Sequence, residues 1–189
     1  MAFLITDSAA PLLMETVPAL KITHYYGHAV RDNVYAYLRC FVRSGSVYCC
    51  FTCFDEAPPE TAFLALCLQP ADRSETALCF AAGKGSGTVL TVRGADGTVL
   101  KTLAAQAADA VQVVTGGDEQ GLYWSINAVL PATAFSEVFG DTPKSGSVFA
   151  GNLYLCNSAE TAFGAAFPVP EGAGALSALG FGTFMVVPY

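Results

Sequence analysis

The feature that most constrains this fold is a succession of short apolar runs, each too brief for a buried helix and each closed by Gly, Pro, Ser or Asp. Tyr35 to Arg43 alternates, Ser44 to Ser46 follows with a central glycine, and Val47 to Phe54 is a second β-rich run. Two such runs around a Gly-containing turn predict a hairpin. Thr61 to Gln69, Thr76 to Ala81 and Gly87 to Arg93 continue the pattern, and residues 95–98 supply a tight turn into Val99 to Leu103. Val111 to Thr115 and Leu122 to Leu130 flank the polar stretch Gly116 to Gly121, which reads as a second hairpin loop. Spacing of this kind predicts an all-β chain of about ten strands in an antiparallel β-sandwich or jelly roll, not a parallel α/β sheet. Many runs lack clean alternation, so some strands are expected to be buried on both faces.

One short helix is expected, over residues 131–139. Pro131 sits at a first-turn position, Phe135, Val138 and Phe139 are spaced by three and four, and Gly140 closes the segment. Ala104 to Ala110 is alanine-rich but marginal in length for a helix, and reads as a connector. From Asn157 to Gly180 the composition shifts to Ala, Gly and Pro without a regular period, which reads as a long ordered surface loop. There is no internal repeat, and 189 residues fit a single domain spanning 1–189.

Composition narrows the partners. Hydrophobic residues make up 53% and charged residues 13%, the opposite of a disordered chain. A net charge of -7 with only nine Lys plus Arg, none clustered, argues against nucleic acid and against an anionic membrane surface. Mean hydropathy is +0.45, yet no run approaches the roughly 18 apolar residues of a spanning helix. The first residues carry no basic region and their apolar run breaks at Thr6, so no secretory signal is visible. Seven cysteines, mostly inside apolar runs, read as core hydrophobes in a reducing compartment. The expectation is cytoplasmic, or secreted if a leader has been removed.

Few residues invite chemistry. His24 and His28 have the spacing of two metal ligands on a helix, but Tyr25, Tyr26 and Gly27 make helix a poor reading. Cys50 and Cys53 match a CxxC spacing, yet in a strand they face opposite sides and there is no second pair for zinc. Gly83 to Gly87 departs from the Walker pattern and reads as a flexible turn. The acid pairs Asp55-Glu56 and Asp118-Glu119 fall in expected loops, where solvated carboxylates are ordinary. Serines 125, 136 and 147 lack a nucleophile-elbow context. No catalytic constellation emerges, and the chain reads as a non-enzyme.

Four landmarks carry a family resemblance: Phe54-Asp55 at a hairpin end, Leu130-Pro131 before the helix, Gly151-Asn152 opening an apolar strand, and Phe181-Gly182 in the last one. In order and spacing, residues 34–187 resemble a family 9-like carbohydrate-binding module. The resemblance implies a noncatalytic, carbohydrate-binding-like β-sandwich with Trp124 as a structural core residue. Modules of this family hold polysaccharide ends between tryptophan rings, with a carboxylate, an Arg and amides on the sugar hydroxyls. Here the strand expected to carry the acid reads Thr61 to Cys67 without one. The strand expected to carry the Arg reads Ala77 to Ala81, and the loop before Phe181 holds no tryptophan. The resemblance therefore implies an inherited scaffold whose sugar clamp is lost or rebuilt.

Aromatic residues outside the clear strands become the candidate ligand contacts: Tyr25, Tyr26, Phe163 and Phe167, with Asn157 at the start of the long loop. Packing beneath those loops is the competing reading. No cofactor is expected except calcium, which related modules often carry. The partner expected is carbohydrate, with the chain a monomer or homodimer; the alternative is a protein–protein interaction or assembly domain on the same scaffold.

Overall fold

The computed structural model describes residues 2–27, 34–55, 61–73, 75–83, 87–103, 112–119, 121–157 and 162–189. Among these, fourteen strands and one α-helix are found, besides two single 3-10 turns at Met14–Thr16 and Ala178–Gly180: β1 Phe3–Asp7, β2 Ala19–Lys21, β3 His24–Tyr26, β4 Tyr35–Arg43, β5 Ser46–Phe54, β6 Phe63–Pro70, β7 Thr76–Gly83, β8 Gly87–Gly94, β9 Val99–Thr102, β10 Gln112–Asp118, β11 Gly121–Leu130, α1 Ala132–Phe139, β12 Val148–Cys156, β13 Phe163–Ala165 and β14 Gly182–Pro188.

The strands follow the order β10-β11-β5-β4-β1-β14-β12-β6-β7-β8-β9, with β2 on β4 and β3 on β13. This path folds into an all-β sandwich. Phe51 on β5 and Phe80 on β7 are far apart along the path, yet their rings stack at 5.7 Å across the interior. The interior takes alternate residues from each half, as a period of two demands. Leu38, Cys40 and Val42 on β4 and Val47, Cys49, Phe51 and Cys53 on β5 meet Leu64, Leu66 and Leu68 on β6 and Leu78, Phe80 and Ala82 on β7. Trp124 lies among them at 1% exposure.

Local chemistry accounts for the turns. Ser44 and Gly45 both take positive φ, 50° and 75°, the conformation of a two-residue hairpin turn, and β4 and β5 pair from Arg43–Ser46 back to Tyr35–Phe54. Helix α1 follows Pro131, whose missing N–H costs nothing at a helix start, and ends on Gly140 in the left-handed conformation at φ 74°.

Several expectations need correction. About ten strands were expected from the short runs, but β2, β3 and β13 are three-residue strands with no periodic signature. Pairing is not wholly antiparallel, because β1 runs parallel to both β14 and β4 and joins the two halves. The second hairpin loop is shorter than expected, since Gly116, Gly117 and Asp118 continue β10. Within the stretch Asn157 to Gly180, residues 158–161 lie outside the described residues, and residues 162–180 are not simply a surface loop. They contain β13, and Val169, Ala175, Leu176 and Ser177 are buried. The connector Ala104 to Ala110 lies outside the described residues.

Candidate functional site

The half of the sandwich built from β12, β6 and β7 is buried on both faces. Its outward residues are small: Ala65 and Cys67 on β6, Cys79 and Ala81 on β7. With Tyr154 and Cys156 they form a second apolar cluster, capped by Phe163, Ala165, Val169, Ala175 and Leu176 from the chain between β12 and β14. These are the strands on which the sequence resemblance expected a sugar-binding acid and Arg. The structure places Ala65, Cys67 and Cys79 there at 0% exposure, beneath a fitted cover.

Asn152 fastens that cover. Fully buried in β12, its Nδ2 donates to the carbonyls of Phe167 (3.0 Å) and Gly180 (2.8 Å). Its Oδ1 accepts from the amides of Leu153 (2.9 Å), Ala166 (3.1 Å) and Phe167 (3.0 Å). Val169 N–H donates to the Tyr26 hydroxyl at 2.7 Å, and the Tyr154 hydroxyl donates to the Ser177 carbonyl at 3.3 Å. The part of this segment beyond β13 has no ladder of its own and needs such partners for its polar backbone. Glycines let it come close: a Cβ on Gly182 would enter the Phe167 ring.

The five candidate contacts from sequence divide accordingly. Tyr25 and Tyr26 belong to β3 and Phe163 to β13, so they are strand residues and not loop aromatics. Tyr26 stacks on Phe163 at 4.8 Å, and Phe163 is only 5% exposed. Tyr25, the neighbour pointing to the opposite side, packs against the main core and donates to the Val34 carbonyl at 3.2 Å. Burial, then Cys53 and Tyr35, push its phenol above the usual range. Phe167 is half-buried, edge-on to Phe184 at 5.7 Å. Asn157 follows β12, and its Oδ1 is buried with no hydrogen-bond partner among the described residues.

A larger aromatic grouping escaped the sequence reading. On the outer face of β4, β5 and β11 the rings of Tyr37, Tyr35, Phe54 and Tyr123 form a continuous row, with successive centroids 5.7, 6.1 and 5.5 Å apart. The three tyrosines are half-buried, leaving part of each accessible. Lys21 lies over the Tyr35 ring at 5.6 Å and Arg39 over that of Tyr37 at 5.5 Å. Register explains the row: Tyr35 faces Phe54 across one ladder and Phe54 faces Tyr123 across the next. The hairpin itself was legible, but the turn is the two residues Ser44 and Gly45 and not the expected Ser44 to Ser46, and it is this shorter turn that sets Tyr35 opposite Phe54. The contact with Tyr123 joins residues far apart in sequence and had no local signal. Beside the row, the Ser125 hydroxyl donates to the Phe51 carbonyl at 2.8 Å and sits 3.3 Å from that of Thr52.

Three solved structures share this architecture. A proposed carbohydrate-binding protein from Bacteroides uniformis superposes with a TM-score of 0.67 at 14% identity, covering 98% of each chain. A family 9 carbohydrate-binding module from Caldicellulosiruptor kristjanssonii in complex with glucose gives 0.64 at 9% identity, covering 100% of this chain and 97% of that one. The same organism's family 9 module in complex with cellotriose gives 0.63 at 9%, with coverages of 100% and 95%. The fold is that of a family 9 carbohydrate-binding module. No family sequence model and no curated protein matches the chain by sequence, so the likeness lies in the backbone path.

On this family 9-like scaffold the remaining candidates have structural employment. Ser125 is held by its bond to Phe51, and Ser147 accepts from the Lys144 amide at 3.1 Å. Cys53 points into the core while Cys50, on the other side of β5, lies 3.4 Å from the Ser125 hydroxyl, so the two do not converge. Gly83 pairs with Gly87 in the β7–β8 ladder, and residues 84–86 lie outside the described residues. His28 and Glu56 do so too, whereas His24 is in β3 and Asp118 in β10. Among the described residues no three of His, Cys, Asp and Glu gather as a metal site. A cleft of about 310 Å³ at the opposite end of β6 is lined by Pro70, Arg73, Asp141, Thr142, Ser147 and Phe149. Two of its charged groups are engaged: Arg73 donates to the Phe139 carbonyl, and Asp141 pairs with Lys144 at 2.9 Å. That hydrogen bond, with the Thr142 amide, holds the Asp141 carboxyl below the usual range.

Proposed function

We propose that this protein is a noncatalytic glycan-binding module whose ligand meets the ring row Tyr37, Tyr35, Phe54 and Tyr123, the clamp strands of the fold being filled by apolar packing. The row carries the proposal. Sugar rings present apolar CH faces that lie against aromatic faces, while their hydroxyls need donors and acceptors at the edge. Half-buried tyrosines supply both, and rings fixed by strand register lose little conformational freedom on binding. Lys21 and Arg39 lie over the Tyr35 and Tyr37 rings and supply donors beside the row, Arg39 while its Nη1 is held by the carbonyls of Met14, Glu15 and Val17.

A glycan array followed by calorimetry with gluco-oligosaccharides tests the reading. Binding at millimolar concentration or tighter is expected, weakened about tenfold or more by Tyr35→Ala or Tyr123→Ala, since a lost ring contact of about 1.5 kcal/mol is tenfold in affinity. No binding to any glycan at millimolar concentration refutes the function. Binding that survives both ring changes but is lost in Tyr26→Ala or Asn157→Ala refutes the placement on the row.

A second reading, an assembly domain, rests on a different observation. Leu4, Met185 and Val148 are exposed and lie side by side across β1, β14 and β12. Light scattering decides it: a strict monomer at high concentration counts against assembly through this face.

A further inference from the structure

We propose that Cys67 and Cys79 are a disulfide-forming pair, a covalent staple between β6 and β7 beneath the cover formed by residues 163–181. The two residues lie directly opposite each other in an antiparallel ladder. Directly opposed antiparallel residues have Cα atoms about 4.5 or 5.5 Å apart, and both spacings fall inside the range a disulfide accepts. Their sulfurs are already in contact, at 2.6 Å. Both side chains are wholly buried, among Ala65, Ala81 and Tyr154. The bond therefore forms without moving either strand to a new register.

The pair differs from the protein's other opposed cysteines. Cys40 faces Cys49 across β4 and β5 in the same way, but there the Cys49 thiol turns to the Val47 carbonyl at 3.9 Å. Opposition alone is thus not the signal; opposition with the sulfurs turned together is.

The oxidant is a small disulfide such as glutathione disulfide. One cysteine thiolate attacks it and displaces one glutathione thiolate, leaving a mixed disulfide on the protein. The second cysteine thiolate attacks the protein sulfur of that mixed disulfide and displaces the other glutathione. Two electrons pass from the cysteine pair to the reagent, and the two thiol protons end on two glutathione molecules. The cover controls when this happens. With both sulfurs at 0% exposure no reagent reaches them, and burial pushes the Cys67 thiol well above its ordinary range, leaving little thiolate. Exchange belongs to the folding chain, or to a molecule whose cover has opened, and the folded, reduced protein is resistant.

Refolding from urea in a glutathione redox buffer, set against the native reduced protein in the same buffer, tests this. The refolded protein should lose two hydrogens in intact mass. Trypsin cuts at Arg73 between the two cysteines, and chymotrypsin separates Cys67 from Cys49, Cys50 and Cys53, so the digest assigns the bond. A closed loop of this size should raise the melting temperature by about 6–12 °C, reversed by dithiothreitol. Cys79→Ala should show the reduced melting temperature in both buffers. If that variant fails to fold, the wild type with and without dithiothreitol gives the same comparison. A refolded protein without a 67–79 bond, a bond between other cysteines in its place, or a 67–79 bond that leaves the melting temperature unchanged or lower overturns the proposal.

Discussion

Replacing Asn152 with Ala should destabilise the protein more than any other single polar substitution in the described structure. The side chain is wholly buried and makes five hydrogen bonds, four of them to the chain covering β12. In the variant the Ala166 amide keeps a second acceptor, the Leu153 carbonyl at 3.0 Å. The Phe167 amide, the Phe167 carbonyl and the Gly180 carbonyl lose a side-chain partner that nothing among the described residues replaces, and the Leu153 amide loses its bond to Oδ1. At about 1–3 kcal/mol for each buried group left unpaired, and with water able to reach half-buried Phe167, the expected loss is about 3–5 kcal/mol. For a chain of this size that lowers the melting temperature by about 6–20 °C. Trp124, the only tryptophan and wholly inside the core, reports unfolding by fluorescence in urea. A loss below about 1 kcal/mol with an unchanged denaturant slope would refute the claim that Asn152 fastens the cover. Asn152→Asp sharpens the test. It keeps the acceptor but sets oxygen against the two carbonyls, so its folded-state pKa is raised by burial and by those dipoles. The native state then holds a proton that the unfolded chain releases above about pH 4. Relative to wild type, this variant should gain stability as pH falls toward that value and lose it as pH rises.

Two further outcomes test the packing. A Cβ on Gly151 would strike the Cys67 carbonyl on β6 and come within 2.9 Å of Leu68. Because a backbone atom is in the way, Gly151→Ala should cost about 1–3 kcal/mol in urea unfolding, and a neutral result would show that the β12–β6 contact is looser than described. Burial alone pushes the Cys40 thiol up to about 12, and burial with the Asp55 carboxylate does the same for Cys53. In native protein at pH 8, iodoacetamide should therefore modify half-buried Cys50 and spare these two, read by peptide mass. The same raised values set the alkaline limit. The folded protein retains protons that the unfolded thiols release above about pH 8.5, so stability should fall as pH climbs from there toward 12. Stability that is flat or rising across that range would contradict the buried-thiol assignment.

What the sequence determined by itself was local. Alternation and a glycine-containing turn placed the β4–β5 hairpin, though the turn proved to be Ser44 and Gly45 alone and the register was set only by the pairing, while Pro131 and Gly140 bracketed α1, because helix ends are written in the residues that form them. The small outward residues of β6 and β7, Ala65, Cys67, Cys79 and Ala81, were legible as positions without a sugar-binding acid or Arg. The chain that covers them was not legible. Beyond β13, residues 167–181 have no periodicity, since their order comes from Asn152, Tyr26 and Tyr154 reaching across from other strands and not from a ladder of their own. Tyr25, Tyr26 and Phe163 looked like loop aromatics for the same reason: three-residue strands are held by their neighbours and carry no pattern. The ring row was decided only in three dimensions, where pairing of β5 with β11 brought Tyr123 against Phe54. Local patterns fix how each segment runs, but which two faces meet depends on contacts between residues remote in sequence, and those contacts leave no trace in any one segment.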